Sequence, residues 1–138
     1  MKWHLHHVNI PVFNIRETAK FYEDTFGMEE YDFPFVREGG GKLQKGGDYV
    51  AFFQDEQDRQ IHMCRPTREL SYENGMCLHP VLNGHLALQV DDIEEVKERL
   101  RRQRVPFDDA GQWAFAGHYQ IYFYDPAMNV VEVNQKIR

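Results

Sequence analysis

A chain of 138 residues that is 42% apolar and 14% aromatic can bury a real core, which excludes a disordered polymer. Its net charge of −6, with no sustained basic face, weighs against nucleic acid as a partner. No apolar run approaches the ~18 residues needed to cross a bilayer, and Met1-Lys2-Trp3-His4 lacks the apolar segment of a secretory signal, so no membrane partner is expected.

The first predicted strand, Leu5 to Val12, leads to Asn14, a good helix N-cap. Ile15, Ala19, Tyr22 and Phe26 then recur at helical spacing, and Gly27 stops the helix. Tyr31 to Val36 reads as a strand. Glu38 to Gly47 holds too much glycine for regular structure and reads as a mobile loop, either a substrate lid or an ordinary hairpin loop. Tyr49 to Gln54 and Gln60 to Cys64 are two further strands.

A connector follows, marked by the turn formers Pro66, Asn74-Gly75 and Pro80. His85 to Val90 is then a strand, Asp92 caps a helix holding Ile93, Val96 and Leu100, and Val105-Pro106 follows its end. The cluster Arg99, Arg101, Arg102 and Arg104 fits this helix end, where cations meet the dipole favourably. Strands are expected near Gln112 to Phe115, from Tyr119 to Tyr124, and from Asn129 to Asn134 beyond the Asp125-Pro126 turn. Cys64 and Cys77 form neither a disulfide framework nor a zinc knuckle, so a reduced, cytoplasmic protein is the expectation.

The start and the middle of the chain repeat each other. His7-Val8-Asn9-Ile10-Pro11-Val12 aligns without a gap on His85-Leu86-Ala87-Leu88-Gln89-Val90, histidine on histidine, through the end of each helix. Such a repeat sets the architecture. A single domain spanning 1–138 is expected, with module one at about 4–65, a connector at about 66–83 and module two at about 84–138. The fold class is α+β: two βαβββ modules forming a curved mixed sheet around a cup, with helices over the opposite face. The repeat also brings two histidines toward one spot, which is how a metal site can be built.

These residues resemble the vicinal oxygen chelate superfamily, which includes glyoxalase I, extradiol dioxygenases, fosfomycin-resistance enzymes and bleomycin-binding proteins. The resemblance covers nearly the whole chain. It is carried by His7 in Leu5-His6-His7-Val8-Asn9-Ile10, His85 in Gly84-His85-Leu86-Ala87-Leu88, and Glu132 in the strand after Asp125-Pro126. It implies that His7, His85 and Glu132 bind a divalent metal, Fe(II) first, with Mn, Ni or Zn as alternatives. Two imidazoles and a carboxylate on one face leave the other face open. His62 matches the family's fourth position, where glyoxalase I usually carries glutamate; it is a fourth ligand, a substrate-binding or acid/base group, or a core polar residue, with substrate contact ranked above ligation.

Tyr122 and Tyr124 are expected in the cup, with Ile121 and Phe123 under the helix. Tyr122 is the candidate for assisting proton transfer. His6 is expected on the other side of its strand, and His4, His79 and His118 on the surface or in loops. Arg65 and Arg68 read as surface residues, and Trp113 and Phe115 as either pocket wall or core. The resemblance implies an extradiol-type dioxygenase acting on a small catechol-like substrate. The alternatives are a glyoxalase-type lyase or isomerase, a thiol transferase, and a metal-free protein that sequesters a bleomycin-like drug. The expected partners are a small-molecule substrate and a second copy in a homodimer, with the site inside one chain or shared between two.

Overall fold

The computed structural model describes residues 1–137. Its first half runs β1 (Trp3–Pro11), α1 (Ile15–Phe26), β2 (Glu30–Tyr31), β3 (Val50–Gln54) and β4 (Gln60–Cys64). A short helix, α2 (Leu70–Glu73), lies in the connector. The second half repeats the order with β5 (His85–Val90), α3 (Ile93–Arg102), β6 (Asp108–Gly111), β7 (His118–Tyr124) and β8 (Val130–Lys136).

All eight strands join one curved mixed sheet in the order β2-β3-β4-β1-β5-β8-β7-β6. The duplication is visible in the pairing. β1 runs parallel to β4 as β5 runs parallel to β8, and β3–β4 is antiparallel as β7–β8 is. The two halves meet at one antiparallel seam between β1 and β5.

Local chemistry explains the helix ends. The Asn14 side chain accepts from the Glu17 amide and donates back to the Glu17 carboxylate, while Gly27 at φ 65° turns the chain out of α1. Asp92 caps α3 by accepting from the Glu95 amide. Side-chain alternation then sorts the faces. Ile15 and Ala19 of α1 pack on Ala51, Phe53 and Met63; Ile93 and Leu100 of α3 pack on Ile121 and Val133. The outer face of the seam instead carries exposed Trp3, Leu5, Val8 and Leu86.

Two strands differ most from expectation. The second strand ends at Tyr31, because Pro34 lacks the N–H needed to continue the ladder. Residues 34–36 peel away and bond to 114–116 instead, through Val36 N to Ala114 O and Ala116 N to Pro34 O. The strand expected near Gln112 to Phe115 lies at Asp108–Gly111. There the Asp108 carboxylate accepts from the Cys77 and Leu78 amides, a long-range anchor that outweighs the poor strand propensity of aspartate. The glycine-rich stretch is irregular, as expected, but it is fastened. Asn74 accepts from Lys42 N at 2.7 Å and from Trp113 Nε1 at 3.1 Å, and donates to Lys42 O and Leu70 O.

Candidate metal centre

The cup-facing set follows from register. Asn9 on β1 lies opposite His62 on β4 and His85 on β5, and Glu132 on β8 lies opposite Ala87 on β5 and Tyr122 on β7. Gly84, at φ 72°, brings the chain into β5 against the Asn9 backbone, where any Cβ would collide with the Asn9 carbonyl. His85 thereby arrives beside His7.

His7, His85 and Glu132 present one ligand atom each, all within 4.8 Å of one another and all from one chain. His7 Nε2 lies 3.1 Å from His85 Nε2; Glu132 Oε2 lies 3.5 Å from the first and 3.2 Å from the second. A cation about 2.1 Å from each donor needs those donors about 3.0 Å apart for right-angled and about 3.4 Å apart for tetrahedral coordination. Two sides of the triangle fall in that range and the third, at 3.5 Å, exceeds it by about 0.1 Å, so the donors fit a divalent ion with almost no movement. The His85 tautomer fits as well. Its Nδ1 lies 2.6 Å from the Pro80 carbonyl, which can only accept, so Nδ1 carries the hydrogen and Nε2 offers its lone pair.

Glu132 is 2% exposed. Burial resists its ionisation, yet His7 and His85 outweigh burial and hold its pKa well below the usual carboxylate range. Both of its oxygens accept hydrogen bonds, and Oε2 keeps a lone pair toward the histidines. Oε1 accepts from Asn134 Nδ2 at 2.9 Å and Gln120 Nε2 at 3.2 Å, and Oε2 accepts from the Tyr122 hydroxyl at 2.8 Å.

The sequence matches the Glyoxalase/Bleomycin resistance protein/Dioxygenase superfamily over residues 4–133. The chain belongs to this superfamily. Among curated protein sequences none matches significantly. Solved structures share the fold. Methylmalonyl-CoA epimerase from Mycobacterium tuberculosis aligns with a TM-score of 0.68 at 19% identity, covering 97% of this chain and 88% of that one. A hypothetical protein from Bacillus halodurans C-125 aligns at 0.65 and 18% identity, covering 100% and 97%. A Streptomyces coelicolor methylmalonyl-CoA epimerase variant in complex with 2-nitronate-propionyl-CoA gives 0.65 and 18%, covering 97% of each.

In this superfamily member the histidine–carboxylate cluster forms the floor of a cavity of about 80 Å³. Phe33, Phe35, Leu43, Trp113, Phe115 and Tyr122 wall it, so the glycine-rich loop contributes to the wall through Leu43. Among the described residues lining the cavity, none is lysine or arginine. Arg65 and Arg68 are exposed, the first over the Tyr49 ring and the second beside Glu69, as the surface reading anticipated.

His62 stacks on His7 with ring centroids 3.8 Å apart, and its Nε2 lies 2.9 Å from Gln60 Oε1. Burial, and then the neighbouring His7, keep it neutral far below the ordinary histidine range. Tyr122 is 1% exposed; burial and Glu132 push its pKa well above that of a free phenol, leaving a protonated hydrogen-bond donor. Burial pushes the Cys64 thiol up to about 12, which disfavours a thiolate there.

Three placements correct the sequence reading. His6 does not face away from the cup. A register shift between Leu5 and His7 inserts an extra residue and turns His6 inward, where it is 6% exposed with Nδ1 2.8 Å from His7 Nδ1. His118 is not a loop residue in solvent. It begins β7, shares the inner face with Gln120 and Tyr122, and is 8% exposed against His6 and Phe115. Tyr124 lies at the far end of β7, is 39% exposed, and does not line the cavity. Sequence reasoning also missed Gln120 and Asn134. Alternation back from Tyr122 and forward from Glu132 was signal enough to find both.

Proposed function

We propose that this chain is a divalent-cation-dependent enzyme of the extradiol-type dioxygenase class, acting on a small catechol-like substrate. The observation that supports it is three inward-facing donors, from His7, His85 and Glu132, at the base of an aromatic cavity that offers no lysine or arginine. A divalent ion held there supplies Lewis acidity toward two adjacent substrate oxygens and, as Fe(II), the redox chemistry of dioxygen, with Mn, Ni or Zn as alternatives. The aromatic walls, Phe33, Phe115 and Trp113, suit a flat neutral ring and exclude water from it. Tyr122, kept protonated, turns its single hydrogen from Glu132 to a substrate oxygen on binding and so assists proton transfer. His62 meets the substrate from the His7 side.

The decisive experiment is elemental analysis of purified protein and of His85→Ala, followed by oxygen uptake over a catechol panel. Stoichiometric iron that is lost in the variant, with uptake coupled to ring-opened product, supports the reading. No turnover in iron-loaded protein overturns it. A second reading, metal-assisted proton transfer at carbon as the name epimerase implies for the solved relatives, is favoured by the neutral His62 beside the cluster. Turnover without oxygen, supported by zinc or nickel, would favour it. The apolar strip Trp3, Leu5, Val8 and Leu86 suits the interface of a homodimer, which sedimentation tests directly.

A further inference from the structure

We infer that His6, held by Asn134, is a positioning residue that fixes the tautomer of His7 so that the His7 Nε2 lone pair faces the cation site. This rests on the metal-centre reading and adds to it a residue outside the ligand set. Glu132 Oε1 can only accept, so the Asn134 atom 2.9 Å from it is the amide nitrogen. Gln89 Nε2, which donates to Asn134 Oδ1 at 3.2 Å, fixes the same orientation from the other end. Asn134 Nδ2 therefore has one further hydrogen, and it lies 3.2 Å from His6 Nδ1. His6 Nδ1 is thus an acceptor.

His6 Nδ1 also lies 2.8 Å from His7 Nδ1, a contact that needs one hydrogen between the two nitrogens. Since His6 Nδ1 accepts, its single lone pair shared between the Asn134 amide and the shorter contact to His7, His7 Nδ1 donates, and His7 Nε2 is left bare toward His85 and Glu132. On the other side of the cluster the Pro80 carbonyl does the same for His85. Each ligand histidine thus has an acceptor behind it, one a backbone carbonyl and the other an imidazole. Outer acceptors of this kind orient a ligand ring and raise its basicity. The register shift in β1 is what makes the arrangement available, because it turns His6 into the cup beside His7.

The test pairs nitrogen-15 NMR of the metal-free protein with cobalt(II) affinity by chelator competition, in the wild type, His6→Leu and His6→Gln. The expected result is His7 protonated at Nδ1 in the wild type, and cobalt affinity reduced about 10- to 100-fold in His6→Leu with unchanged circular dichroism. His6→Gln, whose amide oxygen can accept both bonds, should stay within roughly threefold of the wild type. A wild-type His7 protonated at Nε2, or a folded His6→Leu that binds cobalt as tightly as the wild type, overturns the proposal. If His6→Leu does not fold, the wild-type tautomer and His6→Gln decide alone. A wild type that binds no cobalt overturns the metal-centre reading instead, while the NMR still reports whether His6 sets the tautomer of His7.

Discussion

At the scale of single residues, the cluster is governed by lone pairs. Two imidazole nitrogens and a carboxylate oxygen 3.1 to 3.5 Å apart repel one another unless a proton or a metal ion sits among them. Glu132→Gln removes the charge and keeps the shape. It should weaken cation binding by about 100-fold or more and lower the melting temperature of the metal-free protein at neutral pH, because the fold holds the carboxylate's pKa down and so gains stability from its ionised form. Isothermal titration and calorimetric melting check the two halves of that expectation. Tyr122→Phe removes one donor to the carboxylate and the proposed donor to substrate. Turnover should fall about 100-fold or more, read in steady-state kinetics, for a stability change of about 1 kcal/mol. The two histidines were legible in the repeat, Tyr122 in strand alternation and the family resemblance, and Glu132 in the resemblance carried by its Asp125-Pro126 turn, none of which needs knowledge of distant contacts. His6 was not, since a bulge depends on how β1 registers against β5, and no local pattern announces it.

At the scale of elements, helix ends were read correctly because caps are local: Asn14, Gly27 and Asp92 act on residues three or four away. Asp92→Ala should cost about 1 kcal/mol in urea denaturation. The glycine-rich loop is the opposite case. Asn74 was legible only as half of an Asn-Gly turn, whereas its side chain bridges 32 residues back to Lys42 and 39 forward to Trp113. Two of the four hydrogen bonds of this amide hold Lys42 in the loop that walls the cavity, and the other two tie the amide to Leu70 and Trp113. Asn74→Ala should therefore make residues 38–47 at least roughly tenfold more sensitive to limited proteolysis, with little change in the global melting temperature. An equally resistant loop would show that the backbone bonds of residues 34–40 hold it without help. The sixth strand was misplaced for a related reason. Asp108 and Asp109 look like turn residues, and the partners that make them strand, Cys77, Lys97 and Tyr122, all lie elsewhere in the chain.

At the scale of the molecule, one cup concentrates groups whose pKa values are lower folded than unfolded. Burial, with His7 beside it, lowers His6 from 6.5 to about 3, and His7, His62 and His118 are also lowered, each by burial first. Glu132 is lowered by its histidine neighbours against the opposing effect of burial. For all of them the unfolded chain binds protons before the folded one does. Stability is therefore complete above about pH 6.5 and is lost as pH falls through the window down to about pH 3. Melting temperatures of the metal-free protein should hold between pH 7.5 and about 6.5 and fall from there to pH 4, and a flat profile would contradict the assignment of neutral buried histidines. Protons and cations compete for the same lone pairs, so a saturating divalent ion should shift the decline to lower pH.

The seam between β1 and β5 carries a mechanical consequence. His7 belongs to one half of the duplicated chain, His85 and Glu132 to the other, and the strands that join the halves have no helix pressed on the exposed strip Trp3, Leu5, Val8 and Leu86. An ion drawn to all three donors works as a rivet through that joint. Its occupancy would be felt first as slower amide exchange in the two innermost strands, so that the centre of the sheet becomes the gauge on which the site's contents are read.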